Sequence, residues 1–163
     1  MRHTISVLVD NKPGVLARVA GLFSGRGFNI ESLSVNETLD PTMSQMTIVT
    51  RGDDRILEQI NKQLNKLIDV IRVIDFEIGN YNHIDRELAL IKVNVEDQRR
   101  SEVLSIIDIF RGKVVDVSRN HYTVEVTGDE DKIQAIVDLF RPMGIKEIVR
   151  SGKVTLARES KGR

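Results

Sequence analysis

Hydrophobic and polar positions alternate from the start of the chain. Ile5, Val7 and Val9 share one parity and Ser6, Leu8 and Asp10 the other, which predicts a strand over about residues 3–10. The period then changes. Val15, Leu16, Val19, Ala20, Leu22 and Phe23 recur at helical spacing and predict a helix over about residues 13–26. Pro13 suits its first position, and Gly27 is placed as its C′ residue. Extended stretches follow over residues 29–38 and 43–50, with Asp40-Pro41 marking the turn between them. A second helix opens at Gly52-Asp53-Asp54 and carries Ile56, Leu57, Ile60, Leu64 and Leu67 on one side. Its acidic start and the late Lys62 and Lys66 complement the helix dipole. Residues 70–78 read as a strand. The order β-α-β-β-α-β is the split βαβ, or ferredoxin-like, pattern of an α+β fold.

A polar stretch beginning at Gly79-Asn80 reads as a linker over residues 79–87, separating a unit at 1–78 from one at 88–163. The pattern then repeats. A strand over 88–95 precedes a helix over 102–110 that carries Val103, Leu104, Ile106, Ile107 and Phe110 and is closed by Gly112. Residues 113–117 and 122–127 form a hairpin, and Gly128-Asp129 opens a helix bearing Ile133, Ile136, Val137, Leu139 and Phe140. Residues 145–157 are mostly extended, with an interruption at Ser151-Gly152. Phe23-x-Gly25 aligns with Phe110-x-Gly112, and Gly52-Asp53 with Gly128-Asp129; the offsets are 87 and 76, so the second hairpin is the shorter. Two related ferredoxin-like βαββαβ units are therefore expected. A unit of this size has a marginal core, and each sheet leaves an edge strand unpaired. Pairing with another copy answers both problems, so the chain is expected to be at least a dimer.

Composition narrows the function classes. Lys+Arg and Asp+Glu both total 24, so the basic excess of a nucleic-acid binder is missing. With no cysteine there is no disulfide frame, thiolate zinc site or cysteine nucleophile. The absence of an apolar leader or span predicts a cytoplasmic protein without membrane association. His3, His83 and His121 lack partners at ligand spacing, and the acidic clusters at 53–54 and 129–131 open helices, where acidic residues are favoured on electrostatic grounds. Packing or solvated roles suffice for both, and no metal site is expected. Gly21, Gly25 and Gly27 lie in or after a helix, so they form no phosphate-cradling loop before one. Phe23, Phe110 and Phe140 fall on apolar helix stripes, which leaves no aromatic sheet platform for RNA. No catalytic constellation emerges.

Two places are left for binding. At Asn11-Lys12-Pro13-Gly14-Val15-Leu16 a strand gives way to a helix, whose first-turn N–H groups suit a carboxylate. Asn29-Ile30 starts the second strand. A dimer across that edge strand brings one chain's Asn29 and Ile30 to the other's first loop. A ligand there meets N–H groups for its carboxylate, the Asn11 amide oxygen for an ammonium, and Ile30 with Val15 or Leu16 for an apolar side chain. The plainer alternative is that Asn11 is a turn residue and Asn29 a neighbour of a helix end.

The run Val9-Asp10-Asn11-Lys12-Pro13-Gly14-Val15-Leu16 resembles the first-loop signature of ACT domains, small βαββαβ modules that bind amino acids and regulate metabolic enzymes. Residues 21–33, 40–48 and 58–67, with 86–93, 109–113 and Ala157-Arg158 in the second half, resemble the regulatory (small) subunit of acetolactate synthase, or acetohydroxyacid synthase. The resemblance covers nearly the whole chain. It implies a non-catalytic subunit that activates a separate catalytic (large) subunit and makes it sensitive to a branched-chain amino acid, usually valine. Thiamine diphosphate, Mg²⁺ and FAD would sit on that partner, with no cofactor on this chain. The effector would lie between N-terminal ACT domains of a homodimer, at Asn11, Gly14, Val15, Leu16, Asn29 and Ile30. An ACT-type sensor acting on gene expression is the alternative; it would need a basic surface or a helix-turn-helix, and neither is legible.

Overall fold

A computed structural model of the chain describes residues 1–159. The first alternating run forms β1 (Arg2–Asp10), with Ile5, Val7 and Val9 buried on one face. It is followed by α1 (Val15–Ser24), β2 (Ile30–Glu37), β3 (Met43–Arg51), α2 (Asp54–Lys66) and β4 (Val70–Asp75). The four strands make an antiparallel sheet in the order β2-β3-β1-β4. Val19 and Phe23 of α1 and Leu57, Ile60 and Leu64 of α2 pack with Ile5, Val7, Met46 and Ile48 of the sheet. The β1, α1 and α2 residues among these were legible from their period. The second copy comprises β5 (His83–Asn94), a 3₁₀ turn (Asp97–Arg99), α3 (Arg100–Ile109), β6 (Lys113–Val117), β7 (His121–Gly128), α4 (Glu130–Phe140) and β8 (Ile145–Arg150). Its strand order, β6-β7-β5-β8, repeats the first, and a short β9 (Val154–Ala157) pairs with β5. Ile91, Val93, Val103, Ile107, Ile133 and Phe140 centre a separate core. These are two ferredoxin-like βαββαβ units, one over Met1–Ile84 with residues 154–159, the other over Asp85–Lys153.

The repeat extends to the backbone. The Asp10 N–H donates to Asp69 O and the Asn11 N–H to Thr42 O; in the second unit Asn94 donates to Gly144 O and Val95 to Asn120 O, all at 2.8 Å. Asp53 and Asp129 cap α2 and α4 through their side chains, as the pairing of Gly52-Asp53 with Gly128-Asp129 predicts.

Several boundaries differ from the sequence reading. Pro13 is not the first residue of α1: Gly14 caps it at φ 85°, a left-handed conformation that breaks the helix before Val15. Gly27 is the C′ residue as expected, at φ 76°, with its N–H on Ser24 O and that of Phe28 on Phe23 O. In α3 the same pair of bonds runs from Arg111 to Asp108 O and from Gly112 to Ile107 O. Arg111 therefore takes the left-handed position, at φ 54°, and the counterpart of Phe23 is Ile107, not Phe110. Matching phenylalanines by identity misplaced the repeat by one helical turn. β4 stops at Asp75 because its carboxylate accepts the N–H groups of Glu77 and Ile78, folding the chain into a turn. β5 begins at His83, inside the stretch read as a linker. The misleading polarity there belongs to side chains with partners: His83 packs on the Phe76 ring, Asp85 pairs with Lys153 and Glu87 with Arg150.

Candidate ligand-binding site

Gly14 stands at the centre of the first loop. Its φ of 85° turns the chain from β1 into α1, and a Cβ added there would lie 3.6 Å from the Arg18 guanidinium. The first helical bond runs from the Arg18 N–H to Gly14 O at 3.1 Å. No side chain caps α1 and its first turn holds no acidic residue, unlike α2 and α4. The positive end of this helix dipole thus faces out without a built-in counter-charge. Arg18 adds a cation held by Asp69, whose own backbone oxygen receives the Asp10 N–H.

Asn11 is fixed by its amide nitrogen, which donates to Glu37 Oε1 at 3.1 Å and Pro41 O at 3.0 Å. Both bonds use the nitrogen, so the amide oxygen is left to accept. The Pro41 carbonyl is held in a turn where Asp40 Oδ1 accepts from the Thr42 N–H and hydroxyl at 2.9 and 2.7 Å. Those bonds keep the Asp40 carboxyl below its usual pKa.

The adjacent apolar positions separate. Val15 is 3% exposed and belongs to the core, and its N–H is directed at Lys12 O at 3.4 Å; Leu16, at 43%, is the accessible side chain. Asn29 is exposed and Ile30 half-buried at the start of β2. Ile30 lies opposite Thr50, whereas Glu37 lies opposite Ser44. Seven residues of strand therefore separate Ile30 from the Asn11 end, roughly 23 Å. One chain does not bring the two halves of the expected site together.

The edge strand between them is suited to association. Leu33 and Val35 oppose Ile48 and Met46, so they share the helix-facing side of the sheet, yet each remains 36% exposed. Among the described residues β2 pairs with β3 alone, leaving its other edge unpaired.

A further cluster was missed in the sequence. His3 shares the parity of Ile5, Val7 and Val9 and is fully buried. Its Nδ1 lies 3.0–3.1 Å from both Asp75 carboxylate oxygens, and its Nε2 lies 2.9 Å from Asp54 Oδ1. Carboxylates only accept, so the arrangement is fully satisfied when both ring nitrogens carry protons, as in an imidazolium. Parity alone could have flagged a buried histidine; the partners, at positions 54 and 75, could not be read from spacing. Glu77 completes a His3–Asp75–Glu77 group that has the size of a metal site. However, Asp75 already accepts from His3, Asn61, Glu77 and Ile78, and Glu77 from the Thr4 N–H. That fits a hydrogen-bonded knot better than a ligand set.

Burial pushes the His3 pKa down, but the hydrogen bonds and charges of Asp54 and Asp75 outweigh it and hold the pKa above 6.5. This stabilisation is complete below 6.5, the unfolded value, and is lost as pH rises through the folded value. Denaturation followed at a series of pH values should show the N-terminal unit weakening over that rise. In His3→Gln the pH dependence over that window should be lost.

The chain matches two family profiles, an acetohydroxyacid synthase small subunit-like ACT domain over residues 5–72 and the small subunit of acetolactate synthase over residues 86–159. It is 54% identical to the probable acetolactate synthase small subunit of Archaeoglobus fulgidus over 161 residues, 99% of both chains. It is 55% identical to the acetolactate synthase small subunit of Aquifex aeolicus over 97% of this chain and 82% of that one. The crystal structure of the small subunit from Thermotoga maritima superposes with a TM-score of 0.86 at 41% identity, covering 98% of this chain and 99% of that one.

Proposed function

The chain belongs to the family of acetolactate synthase small subunits, and from that premise we propose that its N-terminal unit senses a branched-chain amino acid, valine first, for a separate catalytic subunit. Catalysis lies on the large subunit, which in this reading carries the thiamine diphosphate, Mg²⁺ and FAD. The observation that supports the sensing role is the uncapped start of α1 at Gly14, beside an Asn11 amide whose oxygen is left to accept. An α-amino acid carries the two complementary charges. Its carboxylate takes the first-turn N–H groups between Val15 and Arg18 and the dipole, and its ammonium takes the Asn11 oxygen.

The apolar part of the ligand needs the other half of the site. Antiparallel pairing of β2 with β2 of a second copy, about a two-fold axis, sets Ile30 of one chain against the Glu37 end of the other. Asn11 binds that end. The same pairing satisfies the free edge and covers Leu33 and Val35. A ligand bound across two copies stabilises the assembled form, and by linkage the assembled form binds it better.

The test is calorimetric and enzymatic together. Valine should bind the full chain with a stoichiometry of one site per Asn11–Ile30 pairing, and the reconstituted catalytic subunit should gain activity from the chain and lose that gain on adding valine. Absence of valine, leucine and isoleucine binding would sink the reading. Leu33→Lys places like charges close together across the two-fold axis and buries an ammonium. It should weaken dimerisation by at least about tenfold, read by sedimentation velocity, and weaken valine binding in parallel.

A further inference from the structure

His3, Thr50 and Ile30 form one row across the first sheet, since His3 and Ile30 both lie opposite Thr50. The row's neighbours are tied to the same end. The Thr50 hydroxyl donates to Asn29 O at 2.8 Å, Glu31 pairs with Arg2 at 3.0 Å and Arg51 at 2.9 Å, and the Phe28 ring lies against Gly52. Gly52 leads into Asp53-Asp54, the start of α2, and Asp54 binds the ring of His3. The residues just before and at the start of β2 are thus positioned by the elements that His3 clamps.

We propose that the His3 cluster is a proton-linked positioning device for the Asn29–Ile30 half of the effector site: the doubly donating ring holds that end of the sheet in shape, and losing its proton releases it. His3 is a positioning residue and contacts no ligand. Among the described residues, the charged and titratable groups around it are Asp54 on α2, Asp75 ending β4 and Glu77 in the turn beyond; β3 places Thr50 opposite it, and the Asn61 amide of α2 donates to Asp75. Beside it on the chain, Arg2 is paired with Glu31, and the N-terminal ammonium of Met1 donates to Gly52 O at 3.1 Å. Once the ring is neutral, one nitrogen turns a lone pair toward a carboxylate, and the two repel. Asp54 is the partner with room to move, because its side chain is 57% exposed whereas that of Asp75 is 5%. Its displacement shifts the start of α2 and the Gly52 connection on which Phe28 rests. A ligand that needs the clamped form then favours the protonated ring, and by reciprocity the proton favours the ligand.

This inference rests on the effector reading above, and calorimetry on the full chain separates the two. Valine is titrated from pH 6.5 upward, below the range in which its own amine titrates, in buffers of differing ionisation enthalpy, while NMR follows the His3 imidazole. Wild-type chain should take up protons on binding valine across the His3 titration and lose about tenfold in affinity between the plateaus. His3→Gln should show neither effect. Asp54→Asn, a milder change that serves if the first variant does not fold, should move the midpoint to lower pH. Affinity that stays flat while His3 titrates overturns the coupling and leaves the effector reading standing. An unchanged slope in His3→Gln, or an unmoved midpoint in Asp54→Asn, also overturns it. If valine binds at no pH, the effector reading fails and the coupling falls with it.

Discussion

Gly14→Asp should leave the chain folded and able to activate the catalytic subunit, yet cost about a hundredfold or more in valine affinity. Aspartate is among the few residues that enter the left-handed region at small expense, so φ 85° does not forbid it. Its carboxylate, however, enters the positive end of α1, where the ligand's carboxylate belongs. Losing charge-assisted hydrogen bonds and gaining a like charge amounts to about 3 kcal/mol, or roughly a hundredfold. The neighbouring Arg18 guanidinium, 3.6 Å from the new Cβ, is placed to pair with the aspartate and reinforce the block. Calorimetry with valine and the valine dose response of the reconstituted enzyme measure the two halves of this outcome. Wild-type affinity in the variant would remove Gly14 from the site.

The largest effect on stability should come from Phe23→Ala. Phe23 is fully buried between α1 and the sheet and also accepts the Phe28 N–H that closes the helix, so truncation opens a cavity under the end of α1. A loss of about 3–5 kcal/mol is expected for such a site. Hydrogen exchange should place the loss in the first unit, with protection falling at Ile5, Ile48 and Leu57 and persisting at Ile91, Ile107 and Ile133, which belong to the other core. Uniform loss across both cores would mean that the two units unfold together.

What was legible in the sequence depended on period. Ile5, Val7 and Val9, the α1 stripe and Leu57-Ile60-Leu64 fixed the elements because burial on one face leaves a repeating trace. The start of α1 was misread because Pro13 is favourable both at a first helical position and in the turn before it; the conformation of Gly14 decides between them. The start of β5 was hidden because His83, Asp85 and Glu87 find partners at Phe76, Lys153 and Arg150 that no local rule anticipates. His3 was passed over for the same reason, its two carboxylates lying 51 and 72 positions away. The candidate site residues were chosen by type and motif, but the way they divide between core and surface could not be read that way. Only the structure separates Val15, sunk into the core, from Leu16, open beside it.

The conformation of Gly14 also has a genetic consequence. Any missense change reachable from a glycine codon by one base adds a β-carbon at a position where φ is 85° and where Arg18 and the helix start face the incoming atom. Selection for growth on toxic levels of a branched-chain amino acid should therefore return codon 14 repeatedly, with chemically unrelated replacements. Codon 15, whose side chain supports the core, should yield few survivors that keep the activated enzyme. The spectrum of resistant alleles would then map the shape of the loop without any measurement of binding.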